Sequence, residues 1–100
     1  MKFTLIIPDK SMAIDGEGFL IDASPAPSGL HAVQWYETWG EEEWADNRGQ
    51  MVRNENISSF KAHQWAIDAW NVAKAAAQAE EMAKQQAAQS GGTGAGPTVI

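Results

Sequence analysis

Between Leu30 and Glu37 the side chains alternate: His31, Val33 and Trp35 fall on one side, and Leu30, Ala32, Gln34 and Tyr36 on the other. A repeat of two is the mark of a half-buried strand. Lys2 to Ile7 reads the same way, with Phe3, Leu5 and Ile7 on one face and Thr4 and Ile6 on the other, until Pro8 removes a ladder donor. Met12 to Ile14 and Glu17 to Ile21 flank Asp15-Gly16, a turn pair suited to a tight hairpin, and Phe19 and Ile21 share a face. Glu43 to Ala45 and Gln50 to Arg53 form a second predicted hairpin around Asp46-Asn47-Arg48-Gly49.

The repeat then changes. Asn56, Ser58 and Ser59 are candidate caps for a helix that runs to about Gln89. Phe60, His63, Ile67 and Trp70 recur at alternating spacings of three and four, a stripe suited to lie on a sheet. Trp65 and Val72 fall off the stripe. Further along, the stripe positions become Lys74 and Glu81, so no coiled-coil seam is sustained. Beyond Val72, to Gln89, the chain has high helix propensity but little to bury except Met82, and Glu80 and Lys84 make a helix-stabilising i,i+4 pair.

These elements predict an α+β fold: a small antiparallel hairpin sheet packed by one long C-terminal helix. The expected division is a domain over residues 1–77, a helical extension over 78–89 and a flexible glycine-rich tail over 90–100, with a helix stop at Gly91-Gly92. The last residues, Pro97-Thr98-Val99-Ile100, either hang free or add to a sheet edge or pocket of a partner.

Charge narrows the possible partners. The 100 residues carry a net charge of -6, with a pI near 4.7, which opposes binding to nucleic acid and to anionic membranes. No apolar run approaches the roughly twenty residues that span a bilayer, and Lys2 to Ile7 is too short for a signal core. With no cysteine there is neither a disulfide frame nor a thiolate, in keeping with a reducing cytoplasm.

Candidate chemistry is sparse. Glu41 and Glu43 share a face if their segment is a strand, but three consecutive glutamates read first as a solvated turn rather than an acid/base pair. His31 and His63, the only imidazoles, lack metal-ligand spacing and are expected to meet in the core. No serine lies in a nucleophile motif, the terminal glycines lack a phosphate-loop lysine, and Asp15-Gly16-Glu17-Gly18 is too short for a calcium loop. No enzyme activity, cofactor or metal is therefore expected.

Five tryptophans are many for a core of this size. Indoles are favoured at interface centres, where they bury much area with little rotamer freedom to lose. Trp35 and Trp70 are assigned to the core. Trp39, Trp44 and Trp65, with Val99 and Ile100 of the tail, are the expected partner-binding residues.

The succession IIPD, IDG, LHAVQWY, GEEEW, an Asn/Gly turn, N-x-x-I and an aromatic helix resembles small phage proteins encoded beside tail-fibre genes, including the XkdW-like group. The likeness spans Phe3 to Trp70, and HAVQW followed by G-E-x-E is its most specific part. It implies a structural or assembly role: a fibre-assembly chaperone or small virion subunit that binds a tail or tail-fibre protein. The implied location is the host cytoplasm during assembly, or the virion tail. It supplies no binding residues. Self-association through the same aromatics is a further expectation. The rival reading is a carbohydrate-binding module or minor glycan hydrolase at the tail tip, using Trp39, Trp44 and the glutamates.

Overall fold

Six strands form one sheet: β1 (Lys2–Ile6), β2 (Ser11–Ile14), β3 (Glu17–Leu20), β4 (Leu30–Tyr36), β5 (Gly40–Ala45) and β6 (Met51–Ile57). The computed structural model describes residues 1–92, with side chains through residue 88. Strand order is β3-β2-β1-β4-β5-β6, and every neighbouring pair is antiparallel. A 3-10 turn at Lys61–His63 leads into the helix α1 (Gln64–Gly92). The chain thus has the α+β fold that the pattern predicts.

The sheet begins with local turn chemistry. Asp15 and Gly16 both take positive φ, 48° and 86°, as a two-residue hairpin turn requires. The Asp15 carboxylate also accepts the Lys2 backbone N–H at 2.8 Å, tying the turn to β1.

One sheet face is covered. Phe3, Leu5, Met12, Ile14, Val33 and Trp35 point towards the helix and meet Ala66, Ile67 and Trp70. Phe60 caps this core edge-on, 6.0 Å from Phe3 and 5.1 Å from Trp35, centroid to centroid. Burying one such large side chain contributes about 1.5–3 kcal/mol, so this face carries most of the stability. The Trp70 indole donates to the Glu17 carbonyl at 2.9 Å and Lys74 Nζ reaches Glu17 Oε1 at 3.0 Å, so α1 is fixed over β3.

From Ala75 to Ala88 no other described element packs against the helix. Every side chain from Ala75 to Ala88 is exposed, and α1, 29 residues and roughly 44 Å long, projects from a molecule 66 Å in its longest dimension. Lys84 and Glu80 are 3.5 Å apart on this arm. The helix includes Ser90 and Gly91 and has Gly92, in the glycine pair where a stop is expected, as its last described residue. Most of the expected tail lies outside the described residues.

Three local expectations are corrected. A bulge between Leu30 and Ala32 shifts the register, so Leu30 joins Val33 and Trp35 in the core instead of facing away. The glutamate run is no turn: β5 begins at Gly40, and Glu42 is buried. β6 extends to Ile57, beyond the predicted Arg53, because edge pairing with β5 sustains a strand whose own residues are almost all exposed.

Candidate functional site: the helix-free sheet face

The face that α1 leaves uncovered has two unlike halves. Over β1, β2 and β3 it is small and apolar, with Ile6, Ala13, Gly18 and the 76% exposed Leu20 around a groove of about 320 Å³. Over β4, β5 and β6 it is aromatic and acidic, with Tyr36, Glu41 and Glu43 facing the amides of Asn56 and Asn54 across the ladder. Glu41 and Glu43 point outward because Glu42 between them points inward.

Trp39 stands at the edge of the acidic half. It is 45% exposed and lies against Tyr36, with ring centroids 4.7 Å apart and planes tilted by 30°. The β4–β5 turn places it there, closed by the Tyr36 N–H donating to the Trp39 carbonyl at 2.7 Å. Within this turn Glu37 takes φ 84°, unfavourable for a residue with a side chain. Two contacts hold it: the Trp35 indole donates to the Glu37 carbonyl at 3.1 Å, and the Met1 amine binds Glu37 Oε2 at 2.8 Å. The exposed indole therefore sits on a rigid mount.

The Tyr36 hydroxyl donates to Glu41 Oε1 at 3.1 Å. Partial loss of water around the phenol, then this bond and the negative charge of Glu41 and Glu43, raise its pKa above the ordinary value near 10.0. A raised folded-state pKa gives a contribution that is complete below pH 10 and lost as pH rises through the folded value. Tyr36 is the only tyrosine, so an alkaline absorbance titration reads it alone. Glu41→Gln is expected to lower its midpoint towards 10. An unchanged or higher midpoint contradicts the geometry.

The other expected contact residues lie differently. Trp44 and Trp65 are partly buried and pack against the core. Trp44 donates to Glu42 Oε1 at 3.2 Å and carries the Arg53 guanidinium 4.7 Å from its ring centroid. The Trp65 Nε1 is buried without a hydrogen-bond partner. Val99 and Ile100 lie outside the described residues. The structure brings Trp39 together with Tyr36, and with Glu41 through the Tyr36 hydroxyl. It brings neither Trp44 nor Trp65 into that group.

A buried polar pair also emerges, which the sequence reading did not find. His63 does not meet His31, whose backbone carbonyl accepts the Ile7 N–H and whose side chain stays half-exposed. His63, 1% exposed, instead has Nε2 at 2.5 Å from Glu42 Oε2. This contact joins β5 to the entry of α1 and lies away from any open surface, so its role is structural. Among the described residues no group of three or more histidines and carboxylates could hold a metal, and no helix is long and apolar enough to cross a membrane.

Comparison of the chain with known protein families, with curated proteins and with solved structures finds no match.

Proposed function

We propose that this chain is a non-enzymatic structural or assembly protein of a phage tail, a fibre-assembly chaperone or small virion subunit, docking on a tail or tail-fibre component through its helix-free sheet face. The observation that carries the reading is Trp39: a large indole held outward on a braced turn, against a second aromatic, on a face that no described element covers. Rigid aromatics of this kind dominate interface energetics because they desolvate a large area while little freedom is lost. The tail assignment comes from the resemblance carried by HAVQW and G-E-x-E. The Tyr36–Trp39 stack beside a carboxylate also suits a sugar ring, the one observation in favour of a saccharide-binding reading.

Trp39→Ala separates function from folding. Its side chain is outside the core, so the change should alter stability by less than about 1 kcal/mol. Capture of the tail partner from infected or induced cells should fall at least about tenfold, as for a central interface aromatic. Trp35→Ala, by contrast, removes a core ring and should destabilise by about 3–5 kcal/mol. Undiminished capture by a folded Trp39→Ala protein contradicts the docking reading. Presence of the polypeptide in purified particles separates a permanent subunit from an assembly chaperone.

A further inference from the structure

We propose that the Tyr36–Trp39–Glu41–Glu43 corner receives arginine side chains from an extended segment of the partner protein. The inference rests on the docking reading above and names the chemistry of what docks.

Two of the chain's more buried indoles, Trp44 and Trp70, each have an edge or face met by a cation that is itself paired with a glutamate. Over Trp44 lies Arg53, its Nε bonded to Glu55. Lys74 Nζ lies 5.1 Å from the ring centroid of Trp70 and bonds Glu17 at 3.0 Å. In both places an indole face, a cation and a glutamate form one unit, in which ring quadrupole and carboxylate attract the same charge. Beside the Trp39–Tyr36 pair Glu41 is held by the Tyr36 hydroxyl, with Glu43 on the same face of its strand, and no described residue supplies the cation. Among the described residues no lysine or arginine lies over Trp39 or pairs with Glu41 or Glu43. Lys2 opposes Tyr36 in register but lies over neither ring.

Spacing and charge favour an extended, basic occupant. Glu41 and Glu43 are two residues apart on one strand, so their side chains rise roughly 7 Å apart. Alternate residues of an extended partner segment have the same repeat. Asn54 and Asn56 lie directly opposite and can meet the backbone of such a segment. The net charge of -6 draws a cationic segment towards this protein. Arginine fits better than lysine, because its planar guanidinium stacks on an indole while donating two parallel hydrogen bonds to a carboxylate. A neutral sugar can stack on Trp39 but leaves both carboxylates uncompensated.

The test uses the full chain with labelled tryptophan indoles and the peptide acetyl-Gly-Arg-Gly-Arg-Gly-amide as probe. The Trp39 indole N–H resonance is identified by its loss in Trp39→Phe. It should shift saturably at millimolar peptide, and the affinity should fall at least about threefold between roughly 0.05 and 0.5 M salt. Glu41→Gln with Glu43→Gln should weaken binding about tenfold, and Glu41→Gln alone serves if the double variant does not fold. The peptide with citrulline for arginine, equal in shape but neutral, should not bind. Equal binding of the citrulline peptide, indifference to the glutamate changes, or a shift produced by a neutral chito-oligosaccharide and not by arginine each overturns the proposal. With the tail partner, loss of capture by Trp39→Ala alone leaves docking intact and removes the arginine assignment. Retention by Trp39→Ala removes docking itself.

Discussion

Gly40→Ala is expected to lower the unfolding free energy by about 3 kcal/mol, a fall of roughly 12–24 °C in Tm for a domain of this size. The reason is backbone proximity. A methyl group at Gly40 would lie 2.5 Å from the Gln34 carbonyl oxygen and 2.8 Å from the Trp35 ring. The oxygen belongs to the adjoining strand, and the ring is locked between Phe3 and Phe60. Neither can move without parting β4 from β5. Two other glycines calibrate the effect. At Gly18 an added methyl group meets Ala13 at an ordinary 3.7 Å, so Gly18→Ala should be neutral or stabilising by up to about 1 kcal/mol. At Gly16 there is open space but φ is 86°, so Gly16→Ala should cost about 1 kcal/mol through backbone strain alone. Urea midpoints with unchanged m values would check the order Gly40, Gly16, Gly18. A Gly40→Ala protein as stable as Gly18→Ala would contradict the packing of Trp35 against β5.

Those glycines also show which parts of the fold can be read from sequence. Asp15-Gly16 announces its hairpin because the positive φ at both positions is a property of the dipeptide. Phe60, His63, Ile67 and Trp70 announce the packed helix face because their spacing matches the helix and nothing competes with it. The close approach at Gly40 is invisible, since it depends on Trp35 lying directly opposite in a ladder not yet formed. The bulge at His31 is equally silent: an alternating strand gives no sign that one residue is extra, and Leu30 therefore changes face. β6 has no apolar stripe because both its faces lie near solvent, so only pairing with β5 marks its length.

The candidate site was legible in part, for a physical reason. Excess indole signals that some tryptophan remains outside the core, but composition does not say which. Trp44 and Trp65 are drawn against the core by contacts far apart in sequence, and Trp39 is kept out by a turn whose geometry depends on Trp35 and Met1. The acidic half was harder still. Three identical residues carry no alternation, so a period of two cannot show which glutamate turns inward. His63 decides it.

Glu42→Ala should destabilise the protein by about 3–5 kcal/mol, because it leaves His63 Nε2 and the Trp44 indole N–H buried or half-buried without an acceptor. Lost pairing, not lost volume, is the main effect, and two further variants separate them. Glu42→Gln keeps the shape and an acceptor oxygen and should lose less than Glu42→Ala. Replacing both partners together, Glu42→Leu with His63→Leu, removes the stranded polar groups and should recover part of the loss despite the imperfect fit. Strict additivity of the two leucine substitutions would show that the residues do not interact. The same bond also protects the open face. In a run of like residues a slip of one position exchanges inward and outward side chains, and Glu42–His63, the fit of Gly40 under Trp35 and the packing of Trp44 against the core oppose it. Glu42→Ala should therefore weaken the Tyr36–Glu41 hydrogen bond as well as the fold, moving the Tyr36 titration midpoint towards 10 even where the protein remains folded. A destabilised Glu42→Ala protein with an unmoved tyrosine midpoint would limit the buried pair to stability and leave register to Gly40 and Trp44.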